Sequence, residues 1–132
     1  MVELLSDFPP HVAAYRAAGA VSKEEYEQVV MNRIDHVAKQ YDRINFLVLL
    51  ETSMTNYSIT ALLDYIKVSF EKYSKWNRMA IVSDERWLRI AYETLNYVVP
   101  GEIRTYRIAE FEAAKEWVSG SILNTKDTKA SH

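Results

Sequence analysis

Arg43-Ile44-Asn45-Phe46-Leu47-Val48-Leu49-Leu50-Glu51 is the stretch whose reading decides the fold. A strand with one wet face alternates polar and apolar residues, whereas Phe46 to Leu50 is apolar at every position and needs cover on both faces. That is the pattern of a central strand in an α/β sheet. Helical patterns flank it, Glu24 to Tyr41 before and Ser58 to Trp76 after, and these are expected to supply the two covering layers.

Toward the N-terminus, Val2 to Leu5 is a short apolar run closed by Ser6-Asp7-Phe8-Pro9-Pro10, whose prolines and acidic residue turn the chain. His11 to Ala18 reads as a second strand, with Val12, Ala14 and Arg16 on one face and Ala13 and Tyr15 on the other. The two strands are expected to pair antiparallel at the edge of the sheet. Ser22-Lys23-Glu24-Glu25 is a capping box, the serine oxygen accepting from the third helical amide and the Glu25 carboxylate reaching back to the Ser22 amide. Behind it Tyr26, Val29, Val30, Ile34, Val37 and Tyr41 recur at three- and four-residue steps, one apolar stripe on a helix.

Toward the C-terminus, the hydroxyl-rich connection Thr52 to Ser58 leads into Ile59, Leu62, Leu63, Ile66 and Phe70 at helical spacing, with Ser58 or Asn56 as the cap. Met79 to Val82 is too short for a helix and reads as a buried strand. Asp84 suits the cap of a helix carrying Trp87, Ile90, Ala91 and Leu95, which ends near Val99 because Pro100-Gly101 cannot continue it. Glu102 to Ile108 is a last strand, and Ala109 to Val118 a short helix that buries Phe111, Ala114, Trp117 and Val118. The order predicts an α/β fold: a mixed four- to five-stranded sheet with an N-terminal antiparallel hairpin, about four helices, and later strands parallel through right-handed crossovers. One domain over residues 1–119 is expected, with residues 120–132 a flexible tail of few apolar residues.

Composition narrows the function classes. A length of 132 residues suits one domain with an adequate core. A net charge of -2 argues against nucleic acid, whose phosphates need a basic patch. The absence of cysteine excludes thiolate catalysis, disulfides and cysteine-based metal sites, and it fits a reducing compartment. No apolar run is long enough to span a bilayer and the start lacks the pattern of a secretion signal. A cytoplasmic protein with at most peripheral membrane contact is expected.

Three stretches carry a family resemblance. They are Gly19-Ala20-Val21-Ser22-Lys23-Glu24-Glu25-Tyr26-Glu27, the strand Arg78 to Asp84 with Trp87 following, and Pro100 to Tyr106 with Phe111 to Trp117. Together they resemble the bacterial SpoIIAA-like family over about residues 1–120. The resemblance implies a small domain similar to STAS domains, which are anti-sigma-factor antagonists and transporter regulators, and to lipid-carrying CRAL-TRIO domains. It implies a non-catalytic binding or regulatory module, an apolar pocket opened by movement of the middle helices, a homodimer, and for some members contact with membranes. The chain departs from the phospho-switch pattern. Where STAS antagonists carry an Asp-Ser-Ser-Gly-like turn, this sequence has Thr55-Asn56-Tyr57-Ser58. Hydroxyls at Ser53, Thr55 and Ser58 still lie near a helix amino end, where free amides favour an anion, and Ser58 is the candidate phosphorylation site. Each also reads as a cap or an ordinary loop residue.

In an open α/β sheet, ligands lie beyond the carboxyl ends of parallel strands. That edge is expected to gather Glu51, Thr52 and Ser53 after one strand, Ser83 and Asp84 after the next, and Arg107 near the end of the last, with Tyr57 and Trp87 walling a pocket. The candidate ligand-binding set is therefore Glu51, Ser53, Tyr57, Ser83, Asp84 and Trp87. Against it stands the plainer reading in which Asp84 only caps its helix and Trp87 packs in the core. The expected occupant is a small apolar or amphipathic molecule, often carboxylate-bearing; the alternative is a regulatory protein partner of the STAS type, controlled by phosphorylation. Glu51 and Asp84 lack the nucleophile, shifted acid or metal that catalysis needs, so no enzyme and no cofactor are expected. His11, His36 and His132 are scattered and read as surface residues, with no metal site.

Overall fold

The computed structural model describes residues 1–88 and 101–120. Strands β1 (Val2–Leu4), β2 (Val12–Ala17), β3 (Ile44–Leu50), β4 (Trp76–Val82) and β5 (Glu102–Tyr106) form one sheet in that order. β1 pairs antiparallel with β2, Leu4 opposite Tyr15, and β2 through β5 are parallel. The expected hairpin at the sheet edge and the central place of β3 are both observed. Between strands lie α1 (Lys23–Tyr26), a π-helical turn Glu27–Met31, α2 (Asn32–Gln40) and α3 (Asn56–Lys72). Residues 86–88 are helical, and a 3-10 turn Ile108–Glu110 leads into α4, residues 111–120. The expected helical stripe through Ile90, Ala91 and Leu95 and the tail beyond 120 lie outside the described residues.

Parallel strands that follow one another in both chain and sheet order put every right-handed crossover on the same face. The core obeys this. Tyr15, Phe46, Val48, Met79, Ile81 and Ile103 share one cluster with Val30, Ile34 and Val37 of the first crossover, Ile59, Leu62 and Ile66 of the second, and Leu88 of the third. The helices flanking β3 thus make one layer, which corrects the expectation that they supply two. Val12, Ala14, Leu47, Ala80 and Val82 point the other way and meet Ala114 and Val118 of α4, with Leu5 and Phe8 packed alongside.

On the first face the rings are continuous. Phe46 meets Tyr15, Phe70 and Trp76 with ring centroids 5.3, 6.2 and 5.9 Å away, all edge-on. Trp76 also explains why α3 stops at Lys72, four residues before the expected end. Its indole packs 4.9 Å from Phe70 and donates to the Phe70 carbonyl at 3.2 Å, which requires the chain to have left the helix and begun β4.

The first helix is capped as read, Ser22 Oγ accepting from the Glu25 amide at 3.0 Å. The reciprocal half of the box differs: Glu25 Oε2 accepts from the Val2 amide at 2.7 Å and so ties α1 to β1. The π turn follows from the stripe. Tyr26, Val30 and Ile34 are spaced by four, so in a straight α-helix each step drifts about 40°; the wider π turn absorbs that drift, and all three are buried. Burial pushes the Tyr26 phenol up to about 12, against the opposing effect of the Ser69 hydroxyl 2.8 Å away.

One polar residue sits inside the deciding stretch. Asn45 is buried where β3 and β4 slip by one residue. Its Oδ1 accepts from Asn77 Nδ2 at 3.0 Å and from the Arg78 amide at 3.3 Å, and its Nδ2 donates to the Val118 carbonyl at 2.7 Å. Arg78 Nη1 donates to the neighbouring Trp117 carbonyl at 2.7 Å. Both side chains satisfy carbonyls in the last described turn of α4, where a cation also suits the helix dipole.

Candidate functional site

Because β3, β4 and β5 are parallel, their carboxyl ends open onto one edge. The loop after β3 is turned by the Met54 amide donating to the Glu51 carbonyl at 3.1 Å, while the Glu51 amide continues the sheet onto Ala17 at 2.9 Å. After β4, the Ser83 amide donates to the Tyr106 carbonyl at 2.9 Å, and Ser83 Oγ accepts from the Glu85 amide at 3.0 Å. Asp84, expected to cap the helix behind it, turns its Oδ1 to the Ile108 amide at 3.0 Å and fastens the β4 loop to the segment after β5.

Between the two loops lies a pocket of ≈ 210 Å³ lined by Leu50, Glu51, Thr52, Met54, Ser83, Asp84 and Glu85. Glu51, Asp84 and Glu85 contribute to its lining. Arg16 of β2 lies against Glu51 through Nη1 and donates from Nε to Glu3 Oε1 at 2.8 Å, bridging β1, β2 and the β3 loop. These carboxylates, Glu3 foremost, hold the guanidinium pKa above its ordinary value.

Of the residues singled out from sequence, Glu51, Ser83 and Asp84 come together in this pocket. Ser53 does not line it; its Oγ accepts from the Gly19 amide at 3.2 Å, in a turn where Gly19 holds φ +60. Tyr57 and Trp87 do not line it either. They stand on the turns that leave its two loops, 83% and 40% exposed, so Trp87 is not the core residue of the plainer reading. The cap of α3 is Thr55, in place of Ser58 or Asn56: its Oγ1 accepts from the Ser58 amide at 3.1 Å and meets Ser58 Oγ at 3.1 Å. Arg107 is exposed, its amide donating to Glu110 Oε1 at 2.8 Å.

Sequence reading missed Arg16, Met54 and Glu85 as parts of the site. A lone cation in the otherwise apolar Val12 to Ala17 was the available signal for Arg16, since a strand cation needs a carboxylate across it. His11 also departs from expectation. It is 3% exposed, not a surface residue, while His36 is exposed as expected. Among the described residues, no group of three or more His, Asp or Glu is placed to hold a metal ion, and no helix is long and apolar enough to cross a membrane.

A model of the SpoIIAA-like family matches residues 12–119. The chain belongs to the SpoIIAA-like family. The match spans β2 through nearly all of α4, so the strands that build the edge and the helix that closes the second face both lie inside the family's domain. The SpoIIAA-like fold is of the STAS type, and domains of this type are generally non-catalytic. Searches of curated proteins and of solved structures return no match.

Proposed function

We propose that this SpoIIAA-like chain is a non-catalytic module that docks a partner protein at the carboxyl edge of its parallel strands. One observation carries the reading: two large aromatics, Tyr57 and Trp87, stand exposed on the turns leaving the two loops of a pocket with Glu51, Asp84 and Glu85 in its lining. Such rings offer a large contact area at little cost in rotamer freedom, and they are the residues most often found to dominate binding at interfaces. The pocket between the loops gives a partner side chain somewhere to insert. Its acidic lining residues, Glu85 among them, favour a basic one.

Control by phosphorylation fits the same edge. Ser58 lies in the first turn of α3, beside its cap, where the helix dipole favours an anion, and a phosphate there would change both charge and shape next to Tyr57. A second reading, a small-molecule site, is favoured by the pocket itself. At ≈ 210 Å³ it is below the roughly 300 Å³ where drug-sized sites begin, and its acidic lining suits a neutral or cationic molecule better than the carboxylate-bearing amphipath expected from sequence.

Photo-cross-linking tests the docking reading. With a photoreactive residue replacing Tyr57, and as control replacing exposed Asp42 at the opposite end of the sheet, irradiation in the host cell should give polypeptide adducts at position 57 alone. Equal adducts at both positions, or adducts of small-molecule mass only, would count against a docking edge. Adducts of the chain with itself would make the partner a second copy.

A further inference from the structure

The helix that begins at α1 and continues through the π turn stands beside the second half of α3, and a pocket of ≈ 180 Å³ lies between them. Lys23, Glu27 and Met31, four residues apart, line one side of it, and Tyr65, Val68 and Lys72, at steps of three and four along α3, line the other. It shares no lining residue with the pocket at the strand edge. Three of its residues belong to the π turn or border it, and such turns are frequent at functional sites. We propose that this pocket binds a small monocarboxylate with a single-ring apolar body, the ring held between the two helices and the charge held by Lys23 and Lys72.

The lining suits a ring because its buried polar atoms already satisfy one another. Tyr26 completes the lining, and its hydroxyl lies 2.8 Å from Ser69 Oγ, which in turn lies 3.0 Å from Met31 Sδ and 3.2 Å from the Tyr65 carbonyl. What remains for an occupant is the Tyr65 ring, 5.6 Å from the Tyr26 ring, the Met31 thioether, and Val68, which is 59% exposed. Aromatic faces and a polarisable sulfur favour an aromatic body. Volume sets its size: an apolar cavity of about 150 Å³ holds one benzene ring, so this pocket takes one ring and little more.

Charge selects the rest of the ligand. Two lysines and one glutamate give the lining a net positive charge. Neither lysine forms an ion pair among the described residues, and Lys72 Nζ stands 5.7 Å from the centre of the Tyr73 ring. Asp35, whose carboxylate Lys72 also influences, is engaged by Lys39 at 2.9 Å and by the Tyr73 hydroxyl at 2.9 Å. A carboxylate would therefore meet ammonium groups that have no competing acid in contact with them. Glu27 opposes a second negative charge, which favours a monocarboxylate over a dicarboxylate or a phosphate. This is the kind of anion that the acidic pocket at the strand edge disfavours.

Amide chemical-shift titration of the full chain tests the site with three probes at one ionic strength: benzoate, acetate as the charge without the ring, and benzyl alcohol as the ring without the charge. Benzoate should produce saturable shifts concentrated at residues 23–31 and 65–73. Acetate and benzyl alcohol should each bind there about tenfold more weakly or worse. A Lys23→Gln, Lys72→Gln double variant changes two exposed side chains and should keep its fold while binding benzoate about tenfold more weakly. Absence of saturation with benzoate, shifts centred elsewhere, an equal response to acetate or to benzyl alcohol, or undiminished binding by the double variant would overturn the proposal. Should that variant fail to fold, the comparison of the three probes on wild type decides.

Discussion

The two faces of the sheet are built by different means. One is covered by the first two crossovers and Leu88 of the third, and packed with rings and branched side chains, Phe46 at its centre. Among the described residues the other is covered by α4, packed over Ala14, Ala80 and Ala114 and fastened at its end by Asn45 and Arg78. The first face holds by volume. The second holds by small residues and a few directed polar contacts.

Substitutions can break this contrast, beginning with the largest effect. Phe46→Ala removes the ring shared by Tyr15, Phe70 and Trp76 and should cost about 3–5 kcal/mol, read as a lowered midpoint in chemical denaturation. A cost below about 1 kcal/mol would mean that the rings are not one unit. Asn45→Ala leaves the Val118 carbonyl and the Arg78 amide without that partner and should cost about 2–3 kcal/mol, with exchange at 111–120 rising beyond that of the crossover helices. Ala80→Leu probes the second face from the opposite side. Added volume under α4 should cost about 1–3 kcal/mol and loosen α4 selectively, whereas a neutral result would show a roomy interface. Tyr57→Ala lies off both cores and should change stability by only about 0.5 kcal/mol, and Trp87→Ala, whose ring is more than half covered, by more; each should weaken retention of a bound polypeptide in native mass spectrometry.

Much of the first face was legible in sequence, because its signals are local. The unbroken run at Phe46 to Leu50 announced a strand covered twice, and the alternation at Val12 to Arg16 assigned both of its faces correctly. Which helix covers which face was not legible. It depends on strand order across the sheet, and no stripe on a helix encodes that. The same limit hid His11: between Pro10 and Val12 it looks like a turn residue, and its buried ring packs on Tyr41 at the end of α2. Trp76 was drawn into the preceding helix by the cations around it, and only its packing on Phe70 places it in β4. At the edge, topology alone brought Glu51, Ser83 and Asp84 together, since parallel strands share one carboxyl end. The cap at Thr55 and the ties of Ser53 and Asp84 to Gly19 and Ile108 follow from loop geometry that a sequence of hydroxyls leaves open.

The most direct test of a docking edge is native mass spectrometry of the protein drawn gently from its host, run beside a Tyr57→Ala, Trp87→Ala double variant. A second polypeptide that leaves on denaturation, present in wild type and missing from a folded double variant, is the result predicted here. A wild type without a bound polypeptide, or one carrying a small molecule that the variant keeps, would contradict it.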